Sequence, residues 1–532
     1  MDINWMVDSP FDALPVGDRR ATALSVDGRD SITYAELRER RDRFARVLVE
    51  AGVVPGDRVG ILLLNSLDYV ALYFAIARVG AVAVRLNFRL APAELSYIIG
   101  DSGCSVLFLH SSRAPQLEPI RRDVPVRRWF CVPDGPTVPP WAEVPGLDEG
   151  LDTDLPRPEG ADMLMLMYTS GTTGQPKGSV WTHDNALWFA SMQATMWGYG
   201  SETVAMTTGP LYHAGAFEDL LLPALLVHGT AVMLSSTAMT TERIVDSVRR
   251  AGVTHALLYP FLLYGLLRKA DLDPGDLGSL RRILCGGDPV QPWALQELIQ
   301  RFPAIALQQG YGLTEGGALS TVLDHRETLA HPDSVGRPIP LTQVRTIGPG
   351  GDPAAPDEVG EVWVRSPAIS GTYWNKPEES RQTFIDGWCR TGDLGRITPD
   401  GFLVLAGRAK DMIRSGGENI YPAEVEAVLA VDPDVVGVAV IGVPDTRYIE
   451  VGCAVVRASG VAGADLEQRL RALAAQRLAR YKCPRYYVFV DELPVNASGK
   501  LEKRILRERY AGLGRADQSQ PCQARLKGAG RV

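Results

Sequence analysis

The sequence predicts a large α/β protein followed by a smaller α+β unit. Three observations predict it. Helical periodicity alternates with short β-branched runs over the first part of the chain. From Val335 to Val404 short runs such as Gly360 to Arg365 and Gly401 to Ala406 are separated by Gly, Pro and Asp, which suggests a β-rich subdomain, and after Arg408 the pattern changes again. With 532 residues, 45% of them hydrophobic, the chain exceeds one typical domain and has ample apolar content for a large core.

In order, the periods predict a helix around Tyr34 to Ala51, a strand at Arg58 to Leu64, a helix at Tyr69 to Val79 and a strand at Ala81 to Leu86. Pro125 to Pro158 fits neither period and is expected to wind over the surface. A strand at Met163 to Tyr168 then delivers a glycine loop, with a helix expected beyond it. Leu220 to Met233 is broken by Pro223, His228, Gly229 and Thr230, so it reads as a buried helix and a strand rather than a membrane span. Between Pro422 and Arg509 the order is helix, strand, strand, helix, strand, helix. Residues 511–532, rich in Gly, Gln, Arg and Ala, are expected to be disordered.

Bulk chemistry narrows the function. The formal charge is −8 and long Lys/Arg runs are missing. Arg121, Arg122, Arg127 and Arg128 form one small cluster that reads as a solvated face, so nucleic-acid binding is disfavoured. Seven scattered cysteines (Cys104, Cys131, Cys285, Cys389, Cys453, Cys483 and Cys522) show no CxxC spacing, which fits a reduced, cytoplasmic setting. The acidic start MDINWMVDSPFDALP lacks a secretory pattern.

The densest chemical signal is YTSGTTGQPKGS, Tyr168 to Ser179. Gly171 and Gly174 allow tight turns that bring backbone N–H groups to an anion, Thr169, Ser170, Thr172 and Thr173 add hydroxyl donors, and Lys177 adds charge. The spacing is not that of a Walker loop. Taken alone, such a cluster is as readily an ordinary loop.

It is not alone. Gly286-Gly287-Asp288-Pro289, GYGLTE (Gly310 to Glu315), Thr391-Gly392-Asp393, Gly407-Arg408 and PVNASGK (Pro494 to Lys500) follow in order. Together the set resembles the adenylate-forming superfamily of acyl-CoA synthetases, adenylation domains of peptide synthesis and beetle-type luciferases. The resemblance runs from about Ile32 to about Arg509 and is nearest to medium- and long-chain acyl-CoA ligases. It implies a division at a hinge, Lys410: residues 1–409 bind adenylate and acyl group, and residues 410–510 form a small mobile domain.

The resemblance also implies roles. Tyr311, between Gly310 and Gly312, would lie against adenine, Thr314 would bond the α-phosphate and Glu315 would hold Mg²⁺. Gly286 and Gly287 would approach the adenine. Asp288, where many relatives carry Ala, would either accept the adenine amino group or cap a helix. Asp393 would take the ribose hydroxyls with Arg408 beside it, and His213 in PLYHAG would gate the acyl carboxylate. Lys500 would bridge the attacking carboxylate and the α-phosphate, relieving their repulsion in the transition state.

For the thioester step, Ser415, Gly416 and Gly417 would line a pantetheine tunnel, Tyr448 and Tyr481 would stack on the adenine of coenzyme A, and Lys482 and Arg485 would meet its phosphates. Ile449 stands where many relatives have Gly. The acyl pocket would draw on Trp188, Met192, Trp197, Phe217 and the run Tyr259-Pro260 to Leu263. Glu218 and Asp219 interrupt that apolar setting, and they are expected to face solvent or else to recognise a polar group on an unusual acid. Ser179 and Trp181 replace commoner small aliphatic residues, and Trp181 either fills core or crowds the phosphate loop.

The implied function is an ATP- and Mg²⁺-dependent acid–thiol ligase that converts a carboxylic acid to acyl-AMP and then to acyl-CoA. The alternatives are loading of a carrier protein, the thioester half-reaction alone, a luciferase-like oxygenase and a silent adenylate-binding protein. The implied partners are an acid, ATP and CoA, with no nucleic acid and no transmembrane segment; a homodimer is left open.

Overall fold

The structure, a computed structural model, describes residues 1–13, 21–151, 155–169, 175–236, 239–269, 271–286, 290–415, 418–445, 448–460, 463–495 and 501–513, the side chains of 11–13, 418 and 419 excepted. These divide into a large unit, Met1–Thr391 with Arg396–Val404, and a small unit, Gly392–Gly395 with the chain from Leu405 on.

One sheet of the large unit has six strands in the order Arg128–Val132, Val106–His110, Arg58–Leu62, Val82–Arg85, Met163–Thr169, Lys177–Thr182. Val106–His110 and Val82–Arg85 are buried along their whole length, as parallel strands covered on both faces must be. The helix Tyr34–Glu50 starts on a capping box between Thr33 and Glu36 and packs on Leu67–Arg78. Every residue from Tyr69 to Ala77 in that second helix is buried, so its apolar character all round is that of a central helix.

Two expectations are corrected here. Arg128–Val132, in the stretch expected to wind over the surface, is the edge strand of this sheet, with Trp129 to Val132 buried. Its Trp-Phe-Cys-Val run is too short and too flanked by proline to register as a period. The phosphate loop is followed by a strand rather than directly by a helix: Lys177–Thr182 pairs antiparallel with Met163–Thr169, and only then does the helix His183–Trp197 begin. Val180, Trp181 and Thr182 favour strand geometry, which the glycines before them masked.

The other large sheet has nine strands in the order Arg337–Pro338, Thr321–Leu323, Ala306–Tyr311, Arg282–Gly286, His255–Leu257, Val204–Thr207, Thr230–Met233, Thr22–Val26, Asp30–Thr33. Leu220 to Met233 forms the end of a π-helical turn (Phe217–Leu221), a buried helix (Leu222–Leu226) and the strand Thr230–Met233. No helix among the described residues is long and apolar enough to cross a membrane. The β-rich region forms a five-stranded sheet of Gln343–Ile347, Gly360–Arg365, Trp388–Ile397, Phe384–Ile385 and Leu403–Arg408.

In the small unit the order is helix Pro422–Leu429, strands Val435–Asp445 and Ile449–Ala458, helix Ala464–Arg477, strand Tyr486–Phe489 and helix Lys503–Tyr510, as the sequence predicts. Residues 511–513, expected to open the disordered tail, continue the fold: Leu513 packs on the apolar cluster that includes Leu506. The rest of the tail lies outside the described residues. Cys104, Cys131, Cys285, Cys389, Cys453 and Cys483 are free thiols, and Cys522 is outside the description.

Candidate active site

Parallel strands Arg282–Gly286 and Ala306–Tyr311 end side by side, with Gly286 in register opposite Gly310. A Cβ on Gly286 would come within 3.3 Å of the Gly310 carbonyl oxygen, so two separate sequence motifs meet where α/β sheets receive ligands, at the carboxyl ends of strands. Beyond Tyr311 the chain turns through the short 3₁₀ segment Thr314–Gly316. Gly312 is required by this turn, because a Cβ there would meet the Ala318 carbonyl oxygen at 2.0 Å. Gly287 and Asp288 lie outside the described residues, as do Ser170, Gly171, Thr172, Thr173 and Gly174.

What is described of the phosphate loop converges on Glu315. Thr169, the last residue of its strand, donates its hydroxyl to Glu315 Oε1 at 2.8 Å. Tyr373 donates to the same oxygen at 3.0 Å, and the Ser370 N–H donates to the Glu315 carbonyl at 3.0 Å. Tyr373 is placed by the strand after the loop, since the Val180 N–H donates to the Thr372 carbonyl and the Trp374 N–H to the Gly178 carbonyl. Lys177 holds its ammonium 5.3 Å from the centre of the Tyr373 ring. Burial and the Glu315 charge together push the Tyr373 hydroxyl far above its ordinary range, so it stays protonated and a donor.

Tyr373 is a site residue that the sequence analysis missed. The only signal for it is an aromatic residue in GTYWN, 58 positions from Glu315. Trp181 is fully buried, edge-on to Phe189, and its indole N–H donates to the Thr314 carbonyl at 3.2 Å. Of the two roles considered for it, it fills core, and it also supports the Thr314–Glu315 turn.

The His213 loop is pinned from both sides. Asn65 donates to the Gly209 carbonyl at 2.9 Å and accepts from the Leu211 N–H at 2.9 Å, and the Arg85 guanidinium reaches the Leu211 carbonyl. His213 itself is half-buried and accepts from the Gly215 N–H at 3.3 Å. Among the expected acyl-pocket residues, Met192, Trp197, Phe217, Pro260 and Leu263 are buried and Tyr259 is half-buried. Trp188, by contrast, is 47% exposed on the helix face that the buried residues do not share, which sets it apart from that group.

Glu218 and Asp219 overturn the expectation that they face solvent. Both are buried, in the π-helical turn. Glu218 pairs with Arg85, itself completely buried over the Phe217 and Tyr73 rings. No local pattern signals this pair, because the partner lies 133 residues upstream.

In the small unit, Arg408 pairs with Asp393 at 2.7 Å, so these two expected ribose contacts are together. Lys410 is exposed in the turn Ala409–Asp411. Ser415 is buried and in register with Ile449, while Gly416 and Gly417 lie outside the described residues. Tyr448 and Tyr481 are 37% and 42% exposed. Lys482 pairs with Glu424 at 2.7 Å and Arg485 with Asp445 at 2.6 Å, and Asp445 in turn accepts from the Tyr448 N–H. Ile449 has a φ of 73°, a left-handed conformation that suits glycine and strains a β-branched residue. Lys500 lies outside the described residues, but Val495 and Leu501 pair across the loop that carries it.

Two glycine-rich strand ends facing each other, with a carboxylate held by hydroxyl donors beside a phosphate-type loop, define a nucleotide-dependent enzyme. The chain belongs to the AMP-binding enzyme family, which it matches over residues 13–374, and it matches that family's C-terminal domain over residues 424–500. It is 39% identical to a feruloyl-CoA synthase of Amycolatopsis sp over 92% of this chain and 96% of that one. It is 35% identical to the long-chain-fatty-acid–CoA ligase FadD13 of Mycobacterium tuberculosis over 90% and 93%. The fold superposes on ATP-bound MatB from Rhodopseudomonas palustris with a TM-score of 0.85 at 28% identity, covering 97% of this chain and 100% of that one. This places it in the CoA-ligase branch of the adenylate-forming enzymes.

Proposed function

We propose that this enzyme activates an apolar carboxylic acid with ATP, giving acyl-AMP and pyrophosphate, and then passes the acyl group to the thiol of coenzyme A. The observation that carries the reading is the Glu315 carboxylate, fixed through one oxygen by Thr169 and Tyr373. A Mg²⁺ ion takes one or two protein carboxylates plus phosphate oxygens, and this all-oxygen donor set fits it. When bound, the ion neutralises phosphate charge. The chain's own residues do the rest: Thr314 and Lys177 meet phosphate oxygens, Tyr311 with Gly286, Gly287, Gly310 and Gly312 receives adenine, and Asp393 with Arg408 receives ribose. His213 stands at the acyl carboxylate, and Lys500 bridges the two reacting anions.

The small domain then turns about Lys410 so that Ser415, Gly416, Gly417, Tyr448, Tyr481, Lys482 and Arg485 serve coenzyme A. Relatives that act on ferulate and on long-chain fatty acids support an acid with an apolar body. Six free thiols support a cytoplasmic setting.

The test is release of pyrophosphate and AMP with a panel of aryl and fatty acids, each with and without CoA, alongside Lys500→Ala. Thioester should form only with CoA, and the variant should lose adenylation by about 10² to 10³, roughly 3 to 4 kcal/mol, while still converting a supplied acyl-AMP. Pyrophosphate release without any CoA consumption would instead favour a carrier-protein acceptor.

A further inference from the structure

The acyl region holds more unsatisfied polarity than an apolar acid explains. Four buried polar atoms without a hydrogen-bond partner belong to Tyr199 (the hydroxyl), Tyr212 (the hydroxyl), Glu218 (Oε2) and Asp219 (Oδ1). Buried polar groups in folded proteins are nearly always paired, so a concentration of orphans calls for a missing partner. Asp219 is the extreme case. It is 5% exposed, no ion pair reaches it among the described residues, and the nearby Arg85 guanidinium is paired with its neighbour Glu218.

Its surroundings include the His213 loop. A Cβ placed on Gly215 would lie 3.5 Å from both Asp219 Oδ2 and His213 Nδ1, so the carboxyl group flanks the His213 loop. Asp219 lies close to both the Tyr199 and the Tyr259 hydroxyls, which burial above all pushes up, yet neither phenol bonds to Oδ1. The turn that carries Asp219 is π-helical, an irregularity that proteins retain mostly at functional sites. Burial, with the Glu218 charge second, pushes the Asp219 carboxyl well above the usual carboxylate range, towards its neutral form. A neutral carboxyl group can donate one hydrogen bond and accept another, which matches a hydroxyl group.

We propose that Asp219 is a specificity-determining residue that pairs with a hydroxyl group on the acyl chain, so that the preferred substrates are hydroxylated carboxylic acids. The inference rests on the acid-activating reading and narrows it.

The test compares matched acid pairs, aryl and aliphatic, with and without a hydroxyl at successive positions, plus the corresponding amines. Binding of their non-hydrolysable acyl-sulfamoyl adenosines is measured by calorimetry, and pyrophosphate release is measured in parallel. For at least one position the hydroxylated member should bind at least tenfold more tightly than its deoxy partner. Asp219→Leu should abolish that ratio, Asp219→Asn should keep part of it, and both variants should stay folded by circular dichroism.

Equal binding of both members, or a ratio that survives Asp219→Leu, overturns the assignment while leaving the ligase reading intact, and points to ordered water on Oδ1. Preference for the amine overturns the hydroxyl in favour of an ion pair. If no acid is bound or activated at all, the acid-activating reading itself fails, and the inference with it.

Discussion

Tyr373 donates its hydroxyl to the same oxygen of Glu315 that Thr169 reaches, so that two fixed donors on Oε1 orient the carboxylate. A carboxylate held this way is already oriented before any ion arrives. Tyr373→Phe should therefore weaken adenylation about tenfold, from the loss of one charge-assisted hydrogen bond of about 1.5 kcal/mol, and raise the Mg²⁺ concentration needed for half-maximal rate. The ring and its contact with Lys177 remain, so thermal stability should move little. An unchanged Mg²⁺ dependence would show that Tyr373 does not orient Glu315.

Trp181 supports the same turn from below. Trp181→Phe removes the N–H that bonds the Thr314 carbonyl but leaves most of the volume, and should lower the adenylation rate several-fold with modest loss of stability. Trp181→Ala should instead open a cavity beside Phe189 and destabilise the large unit by about 3 to 5 kcal/mol. Denaturant unfolding read beside single-turnover adenylation separates the two effects.

Gly312→Ala tests why the glycine is there. Its place in the GYGLTE string suggests nucleotide contact, whereas a Cβ in the present backbone would collide with the Ala318 carbonyl and the Leu319 Cα, at 2.0 and 2.6 Å. The variant should lose stability by roughly 2 kcal/mol or more even without nucleotide, because the added methyl forces tightly packed backbone apart. A thermal midpoint equal to that of the parent enzyme would return the residue to a purely ligand-contacting role.

These residues show what the sequence could and could not tell. The order of elements in the small unit was legible because each helix or strand carries its own period between Gly and Pro breaks. The motif glycines and Glu315 were legible because they sit in short contiguous strings. Tyr373, the Arg85–Glu218 pair and the burial of Asp219 were not, since each depends on residues far apart in the chain and a charged residue reads as exposed until its partner is known. The strand after the phosphate loop was missed for a local reason: glycine and lysine conceal its β-branched half.

Acid should destabilise the large unit through its buried histidines. Burial lowers the pKa of His110, His183, His228 and His255 below the ordinary value, His255 to about 4 with Arg282 adding to the effect. A histidine whose folded pKa is depressed is neutral in the folded chain, while the unfolded chain takes up a proton as pH falls through about 6.5. Stability is therefore intact above about pH 6.5 and lost progressively towards pH 4, by up to about 3 kcal/mol for His255 alone. The thermal midpoint should fall steeply between pH 7 and pH 5, and His255→Gln should make that fall shallower. An equal slope in the variant would assign the acid sensitivity to the other three.

Ile449 carries strain that its side chain does not offset. It is 73% exposed with a φ of 73°, so a branched residue occupies a left-handed conformation while burying little apolar surface. Relief of that conformation is worth about 1 to 3 kcal/mol, against about 0.5 to 1 kcal/mol of extra chain entropy for glycine in the unfolded state. Ile449→Gly should accordingly stabilise the small unit by roughly 1 kcal/mol. The residue adjoins Tyr448, whose turn Arg485 holds through Asp445, so removing the side chain should also lower KM for CoA without changing the adenylation rate. A variant that is less stable than the parent would mean that the Ile449 side chain holds this turn, and a KM that rises would mean that it contacts the thiol substrate directly.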